Sequence, residues 1–297
     1  MMSIPLALMF ALGCTGIATE AKASLRRSAV FEGALSHPTS SGITGMAWWQ
    51  GFNDPVMNML QQAATALART SKRPSGLIFA SVPIEHLPVD AQVAIAYVSA
   101  KVLNLRLMAL EEMQLAALRQ RRLVVEGSGT AAGARLLAML DARIAGSRAA
   151  AKGVLDRREI HLKMLAALCA WRVEQLIDEV ALALTDMDLP VYTAELPSRP
   201  SSAHEIDVLV GQVHHHANLV RQAATHVRMR RQAFIDLRVR LAARQLSEVQ
   251  ALEGYQRMLE ATGTLAESSG ELAMSWIELQ LSTGDRAIGA LVPLARE

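Results

Sequence analysis

The chain of 297 residues is 51% hydrophobic but only 4% aromatic, which favours helices rich in alanine and leucine over a β-protein. Its 30 basic and 28 acidic residues leave a net charge of +2, so electrostatics give no strong reason to expect a nucleic-acid partner. Two cysteines exclude a disulfide-rich scaffold and any zinc site built from four cysteines. We therefore predict an all-α fold.

Residues 1–23 combine a short apolar run with two processing patterns. The run Ile4–Leu12 suits the core of a signal peptide and is too short to span a bilayer. Ala21–Ala23 (Ala-Lys-Ala) fits ordinary cleavage, whereas Ala11–Cys14 (Ala-Leu-Gly-Cys) resembles a bacterial lipobox with alanine where leucine is usual. We expect export, with Cys14 as the lipidation candidate; the alternative is an apolar start with a chance cysteine.

The first predicted helix follows residues 24–54, a segment whose serine, glycine and threonine content predicts an extended conformation. Asp54 can cap a helix whose first residue is Pro55, and apolar residues then recur at helical spacing to about residue 71. Trp48, Trp49 and Phe52 are expected to pack the extended segment onto this helix. Residues 72–88 contain three prolines and form a connector, with a short extended piece at 77–80.

Two long helices are predicted next, because no proline interrupts the chain between Val89 and Leu189. The first begins near Val89, and the second runs from about Ala134 to Leu184. Glycines at 127, 129 and 133 break the apolar pattern between them, and Thr130 can cap the second helix. We predict a long antiparallel helical hairpin of coiled-coil type, with its tip near residues 127–133, in a first repeat over residues 55–184.

The second half follows a proline-containing linker at residues 185–203 and is predicted to be helical from about residue 203 to 282. Gly254, Gly263 and Gly270 are candidate breaks, and Thr283–Asp285 resembles another turn. Only thirteen residues follow Gly284. We therefore interpret residues 204–297 as a second, truncated helical repeat that lacks its descending arm.

Residues that could carry chemistry are few. Adjacent histidines on a helix point about 100° apart, so His214–His216 do not converge on one metal ion. Seven arginines between Arg221 and Arg244 are interleaved with a single aromatic residue, Phe234, which fits a charged helix face or contact with anionic lipid headgroups better than nucleic-acid binding. Cys169 is expected to be a small buried residue. No catalytic or cofactor motif is present, so we predict a non-enzymatic protein without a metal or cofactor.

The segment Trp48–Leu60 (WWQGFNDPVMNML) resembles the opening of TolC-type outer-membrane efflux proteins, in which a tryptophan-rich segment leads to Phe-x-Asp-Pro and the first helix. Further matches follow in the same order, and together they cover most of residues 46–290. They lie at Ile95–Val98, Arg121–Ala131, Leu189–Tyr192 with Leu196–Ser198, and Leu281–Asp285. The chain is thus similar to the NodT-like outer-membrane lipoproteins of RND-type efflux systems.

This resemblance implies a TolC-type periplasmic helical domain whose hairpin tips include Gly127, Gly129 and Thr130 in the first repeat and Gly284 and Asp285 in the second. The family also carries strand pairs that assemble into a barrel through the outer membrane. Residues 72–88 and 225–234, where those pairs belong, lack the alternating strands of about ten residues that a barrel needs. We therefore expect little or no β-barrel and no final helical arm.

Two functions follow from the resemblance. The first is a homotrimeric helical conduit on the periplasmic side of the outer membrane, anchored by a lipid on Cys14, that docks a membrane-fusion adaptor and works with an inner-membrane pump. No residue would be catalytic. The alternative is a non-transporting, lipid-anchored interaction protein, or a degenerate remnant of the family.

Overall fold

The structure is a computed structural model that describes residues 48–52, 54–67, 78–79, 82–127, 131–185 and 204–283. The chain divides into two compact units, and every described residue belongs to the unit formed by Gly45–Tyr192 and Leu196–Ile288. The other unit lies outside the described residues. The lipidation candidate Cys14 and the predicted signal peptide also lie outside them, as do the tip candidates Gly129, Thr130, Gly284 and Asp285.

The described residues form six α-helices, which confirms the all-α prediction. The helices are α1 (Pro55–Leu67), α2 (Val89–Gly127), α3 (Ala131–Cys169), α4 (Val173–Thr185), α5 (His204–Ala242) and α6 (Glu248–Thr283). Between α1 and α2, the two-residue strands β1 (Ile78–Phe79) and β2 (Val82–Pro83) pair in antiparallel fashion. The short extended piece predicted at 77–80 is therefore confirmed for Ile78–Phe79.

Helices α1 and α2 begin where the sequence predicted. Asp54 Oδ1 accepts hydrogen bonds from the backbone N–H groups of Val56, at 2.9 Å, and Met57, at 3.0 Å. These bonds satisfy two donors of the first turn that have no partner within the helix, so Asp54 is the N-cap of a helix that starts at Pro55. Helix α2 starts at Val89 and ends at Gly127, the first of the predicted tip residues.

The second long helix is shorter than predicted, because α3 ends at Cys169 instead of continuing to Leu184. Ala170 has a φ of 52°, and the next N–H group, that of Trp171, bonds back to the carbonyl oxygen of Ala166 at 2.9 Å. This is a Schellman ending, which usually requires glycine at the left-handed position. Because alanine occupies that position here, the end of α3 and the start of a separate α4 could not be predicted from the sequence.

The second half is helical from His204 to Thr283 apart from one turn, and that turn lies at none of the predicted candidate breaks. Helix α5 has 39 residues and α6 has 36, and the turn between them lies at residues 243–247. Gly254, Gly263 and Gly270, the candidate breaks, all lie inside α6. Residues 204–283 thus hold two long helices of nearly equal length, and the residues after Gly284, on which the predicted truncation depends, lie outside the described residues.

The four long helices lie side by side in the order α3, α2, α6, α5, with neighbours running in opposite directions. Between α2 and α3, Arg121 bonds Asp141 and Asn104 bonds Arg158. Between α2 and α6, Arg106 pairs with Glu267, and the Gln120 side chain donates to the carbonyl oxygen of Val249. Between α6 and α5, Ser275 lies against His216 and Tyr255 against Phe234.

Helix α2 occupies the centre of this unit, because α1, α3, α4 and α6 all pack on it. It is long and apolar enough to cross a membrane, with a mean hydropathy of 1.5 over its most apolar 18-residue window. However, 67% of that window is buried inside the protein. The apolar composition of α2 is therefore that of a core helix.

Candidate functional site

The aromatic residues of the N-terminal motif form a small cluster at the start of α1 and α2. Residues Trp48–Phe52 make a 3-10 turn that packs on α1, and the Trp48 ring meets Trp49 and Phe52 edge-on, with ring centroids 5.9 and 6.3 Å apart. The Trp48 indole N–H also donates a hydrogen bond of 2.7 Å to Asp90 Oδ2. The motif is therefore fixed to the first turn of α2 as well as to α1, a contact that the sequence did not predict.

Asp54 of the motif performs a second task besides capping α1. Its Oδ2 atom accepts a 2.9 Å hydrogen bond from the Tyr97 hydroxyl and lies 3.8 Å from Lys101 Nζ. All three side chains are buried, and Lys101 is only 3% exposed. A buried ammonium group is tolerated when a carboxylate and further hydrogen bonds compensate for its lost hydration, so Asp54 joins α1 to α2.

Sequence reasoning missed the partners of Asp54, although one signal for them existed. Tyr97 and Lys101 are four residues apart, so they lie on the same face of α2. Lys101 also interrupts a segment that is otherwise apolar from Val93 to Val102 apart from Ser99. A lysine in such a segment predicts a buried acidic partner, and Asp54 is the acidic residue of the neighbouring motif.

A second buried polar contact joins three helices. The Asn104 amide group donates to the carbonyl oxygen of Leu184, at 3.0 Å, and its Oδ1 atom accepts from Arg158 Nη1, at 2.7 Å. Asn104, Leu184 and Arg158 belong to α2, α4 and α3. Because both polar ends of the amide group are satisfied, this contact fixes α4 against the pair of long helices without creating reactive chemistry.

Cys169 is buried at the end of α3, which confirms its expected packing role. Its Sγ atom lies 3.7 Å from the carbonyl oxygen of Leu60. Burial raises the pKa of the Cys169 thiol to about 11. Since the thiolate is the nucleophilic form, Cys169 stays an unreactive thiol near neutral pH.

The turn between α5 and α6 is built from two signals that a sequence can carry. Arg244 has a φ of 58°, and the N–H group of Gln245 bonds to the carbonyl oxygen of Arg240 at 2.9 Å, so α5 ends in a Schellman motif. Ser247 and Gln250 then form a capping box, in which each side chain accepts from the other residue's backbone N–H group. The Ser-x-x-Gln spacing was readable from the sequence, whereas the arginine at the left-handed position was not.

Two helix ends and one turn lie at the same end of the described unit, which we call the turn end: Gly127, Ala131 and residues 243–247. Arg119 of α2 pairs with Glu248, the first residue of α6, close to the last turns of α2. At the opposite end, Gly270 lies against Val102, so α6 runs on to Thr283 beside the start of α2. The second tip expected at Gly284 thus follows a helix end that lies away from the turn end.

A polar cavity of about 240 Å³ lies near the turn end, where α3 and α6 approach each other over α2. Arg143 Nη1 of α3 donates to Gln256 Oε1 of α6 at 2.8 Å, and Gln120 of α2 lines the floor. Glu253 and Glu260 also line it. Arginine, glutamate and glutamine side chains of this kind bind water or polar groups.

The histidines singled out in the sequence are spread around α5. The His216 ring lies 2.6 Å from the Ser275 hydroxyl of α6, while His214 and His215 are exposed. Among the described residues, no group of three His, Cys, Asp or Glu side chains is placed to hold a metal ion. The region therefore contributes helix packing at His216 and a polar surface elsewhere.

Three arginines of α5 lie on the solvent side of the unit. Arg221, Arg228 and Arg240 are exposed, and so is Arg244 in the turn that follows. Within the described residues, Arg221 and Arg228 bond only to the neutral side chains of Asn218 and Thr225 on their own helix. These bonds leave the positive charge of Arg221 and Arg228 in place.

Comparison with known proteins gave no match. No protein-family model matches the chain, and neither a curated protein nor a solved structure is significantly similar to it. The likeness to TolC-type efflux proteins therefore rests on the motif at Trp48–Leu60 and on the order of the weaker matches.

Proposed function

We propose that the chain is a non-catalytic docking protein of the cell envelope, the helical component of a tripartite efflux or export system. The observation that supports this proposal most directly is the turn end, where two pairs of long helices present their connections together. A partner protein can contact both connections at once, and contacts at several points raise affinity without any enlarged single interface. The interior polar groups at Asp54 and Asn104 hold helices together.

The finer form of this proposal follows the sequence resemblance. The α2–α3 and α5–α6 pairs are hairpins of coiled-coil type in a TolC-type periplasmic domain. The chain assembles as a homotrimer, is held at the periplasmic side of the outer membrane by a lipid on Cys14, and docks a membrane-fusion adaptor. An inner-membrane pump supplies the energy for transport.

Site-specific cross-linking in the producing cells tests the docking step. A photoreactive residue at the exposed Gln245 position samples the turn end, and the same residue at Gln62, exposed on α1, samples the opposite end. We expect a membrane-fusion adaptor to be cross-linked from position 245 and not from position 62. Equal cross-linking from both positions, or none from position 245, would contradict docking at the turn end.

Charge substitutions locate the second docking point. Arg244→Asp alters the α5–α6 turn, whereas Gly284→Asp alters the tip expected from the resemblance. We expect Arg244→Asp, like Gly129→Asp in the first connection, to weaken adaptor cross-linking without loss of helix content by circular dichroism. If only Gly284→Asp weakens it, the docking point lies where the resemblance placed it and not at the turn end.

A second candidate function is the non-transporting interaction protein, and the direction of α6 favours it. Helix α6 ends at Thr283 beside the start of α2, which differs from a conduit whose two tips lie together at Gly127 and Gly284. Bilayer conductance of the purified chain, measured with its mass in solution, separates the two functions. Steady conductance from a trimer supports the conduit, and a non-conducting oligomer or monomer supports the interaction protein.

The membrane anchor has an independent test. Cys14→Ser should release the protein from the membrane fraction of the producing cells if a lipid on Cys14 holds it there. A substituted protein that still sediments with membranes would show that Cys14 is not the anchor.

A further inference from the structure

The outer side of α5 has no extensively packed neighbour among the described residues. Helix α5 packs extensively on α6 only, through a stripe of small apolar residues that includes Val213, Ala217, Val220 and Ala223. The rest of its circumference faces away from the unit. A helix of 39 residues that buries one stripe leaves a surface long enough to contact a second body.

This surface is basic in the C-terminal half of α5, Arg221–Arg240, which we call the arginine face. Six arginines fall in this segment against one acidic residue, Asp236, and three of the arginines are exposed: Arg221, Arg228 and Arg240. The Asp236 carboxylate accepts a hydrogen bond from Gln232. The hydrogen bonds of Arg221 and Arg228 to neutral side chains position their guanidinium groups without neutralising their charge.

Large apolar side chains are exposed among these arginines. Met229, Ile235 and Val239 are 59%, 42% and 64% exposed. Arg221, Arg228 and Ile235 follow each other at intervals of seven residues and Val239 lies four residues on, so they share one side of the helix. Exposed apolar side chains flanked by arginine are typical of helices that lie in the headgroup region of a bilayer, where the charge meets phosphate and the apolar group enters the acyl boundary.

Two other occupants fit this surface less well. Nucleic-acid binding by stacking needs free aromatic rings, but Phe234, the only aromatic residue of the segment, packs on Tyr255 with ring centroids 5.2 Å apart. A second copy of the chain offers the acidic row Glu253, Glu260 and Glu267 on α6, yet the intervening positions Arg257 and Thr264 give that row no apolar surface. An anionic bilayer surface offers negative charge and apolar contact together.

We propose that the arginine face of α5 binds the surface of an anionic lipid bilayer. The guanidinium groups of Arg221, Arg228 and Arg240 contact lipid phosphates, and Ile235 and Val239 enter the boundary between headgroups and acyl chains. This contact is separate from adaptor docking and from the lipid on Cys14, so the chain would lie along a membrane surface in addition to any anchor.

Vesicle co-sedimentation of the purified full chain tests the proposal. Cys14→Ser is included in every protein, so that lipidation cannot contribute to binding. The vesicles are phosphatidylcholine alone, or phosphatidylcholine with about 30% phosphatidylglycerol. We expect binding to the anionic vesicles that falls as salt is added, because exposed charges are screened.

Two substituted proteins separate the arginine face from general basicity. The triple variant Arg221→Gln, Arg228→Gln and Arg240→Gln should bind anionic vesicles about a hundredfold more weakly, since each basic residue near such a surface contributes about fivefold. The matched control Arg135→Gln, Arg148→Gln and Arg157→Gln removes the same charge from exposed positions of α3 and should bind as the parent does. Ile235→Ser with Val239→Ser should weaken binding while the salt dependence remains.

The proposal is overturned by any of three results. The two triple variants lose equal binding, the parent binds both vesicle types equally, or anionic vesicles are not bound at all. If vesicles are not bound and sedimentation velocity shows a salt-sensitive dimer that the α5 triple variant abolishes, the arginine face binds a second copy of the chain instead. Unchanged adaptor cross-linking in the α5 triple variant would show that failure here leaves the docking function intact.

Discussion

Helices α2 and α5 have the same length, 39 residues, but opposite surroundings. Four helices pack on α2, and its polar residues Gln92, Lys101 and Asn104 are buried with hydrogen-bond partners or ion-pair partners. Helix α5 packs extensively on α6 alone, and three of its arginines are exposed: Arg221, Arg228 and Arg240. Two helices of equal length are therefore buried to different extents. The difference goes with their polar residues, which have partners inside the protein in α2 and face solvent in part of α5.

The largest effect is expected from the buried carboxylate that joins α1 to α2. Asp54→Ala removes the cap of α1, the acceptor of the Tyr97 hydroxyl and the carboxylate beside Lys101. Breaking a buried pair by removing one partner costs about 3–5 kcal/mol, since the remaining charge stays dehydrated. Urea unfolding followed by circular dichroism should show this loss in the free energy of unfolding.

Asp141→Ala is the matched control, because Asp141 also pairs with a basic residue of α2, Arg121, but at an exposed position between α2 and α3. Its urea midpoint should stay close to that of the parent, as exposed ion pairs contribute little. The comparison also has an internal check in Lys101→Met. Adding this change to Asp54→Ala should recover part of the lost stability, and a purely additive double variant would show that the two side chains do not interact.

The sequence predicted the parts of the fold that depend on local signals. Asp54 and Pro55 predicted the start of α1, because an aspartate can cap a helix and proline fits its first position. The proline-free segment that begins at Val89 predicted α2. The breaks at Ala170 and Arg244 were missed because ordinary residues occupy left-handed positions that normally select glycine. Gly254, Gly263 and Gly270 were predicted as candidate breaks but lie inside α6, because a helix that packs on neighbours on both sides tolerates glycine.

Partners in space were harder to predict than helix ends. The Asp54 cap could be predicted from the sequence. Its contact with Lys101 could not, because the two residues are 47 positions apart and meet only through the packing of α1 on α2. The turn at 243–247 was within reach, because Ser247 and Gln250 have the spacing of a capping box. The direction of α6 relative to α2 was not predicted, because it depends on that turn.

Glycine substitutions in α6 distinguish its contact with α2 from its open positions. A Cβ atom on Gly270 would lie 2.6 Å from Val102 Cγ2 of α2, and Val102 is branched at Cβ and cannot rotate away cheaply. Gly270→Ala should therefore destabilise the protein by about 1–3 kcal/mol. Gly263→Ala meets nothing within 4 Å and should stabilise it by about 0.5–1 kcal/mol through helix propensity.

Gly254→Ala gives the corresponding measurement for the contact between α6 and α5. Its Cβ would meet the Cδ1 atom of Leu237, the far end of a flexible side chain that can move towards solvent. Urea midpoints should thus rank Gly263→Ala above the parent, Gly254→Ala below it, and Gly270→Ala lowest. A Gly254→Ala protein as unstable as Gly270→Ala would mean that α5 is held as rigidly as α2, contrary to the comparison.

Substituting glycine for the two residues with a left-handed backbone should have a smaller effect, and it should stabilise the protein. Arg244 and Ala170 hold φ values of 58° and 52°, conformations that cost a residue with a side chain about 1 kcal/mol relative to glycine. Arg244→Gly and Ala170→Gly should therefore each raise the midpoint of thermal unfolding by a few degrees, as one kcal/mol shifts it by roughly 2–4 °C in chains of this size. Ala243→Gly, one residue before the left-handed position, is the control and should not raise it.

The smallest effect concerns His161, a half-buried histidine of α3, compared with the exposed His226 of α5. Burial, and to a lesser degree the positive charge of Arg157, lower the pKa of His161. The unfolded chain therefore binds a proton at a pH where the folded protein does not, so stability is complete above about pH 6.5 and falls as the pH drops below it.

Urea midpoints at about pH 7.5 and about pH 5.5 should differ less in His161→Gln than in the parent. His226→Gln, which removes an exposed histidine of α5, should keep the parent's difference. If both variants change the pH dependence of stability equally, burial of His161 is not the cause of that dependence. The difference in packing between α3 and α5 would then have no effect on how stability varies with pH.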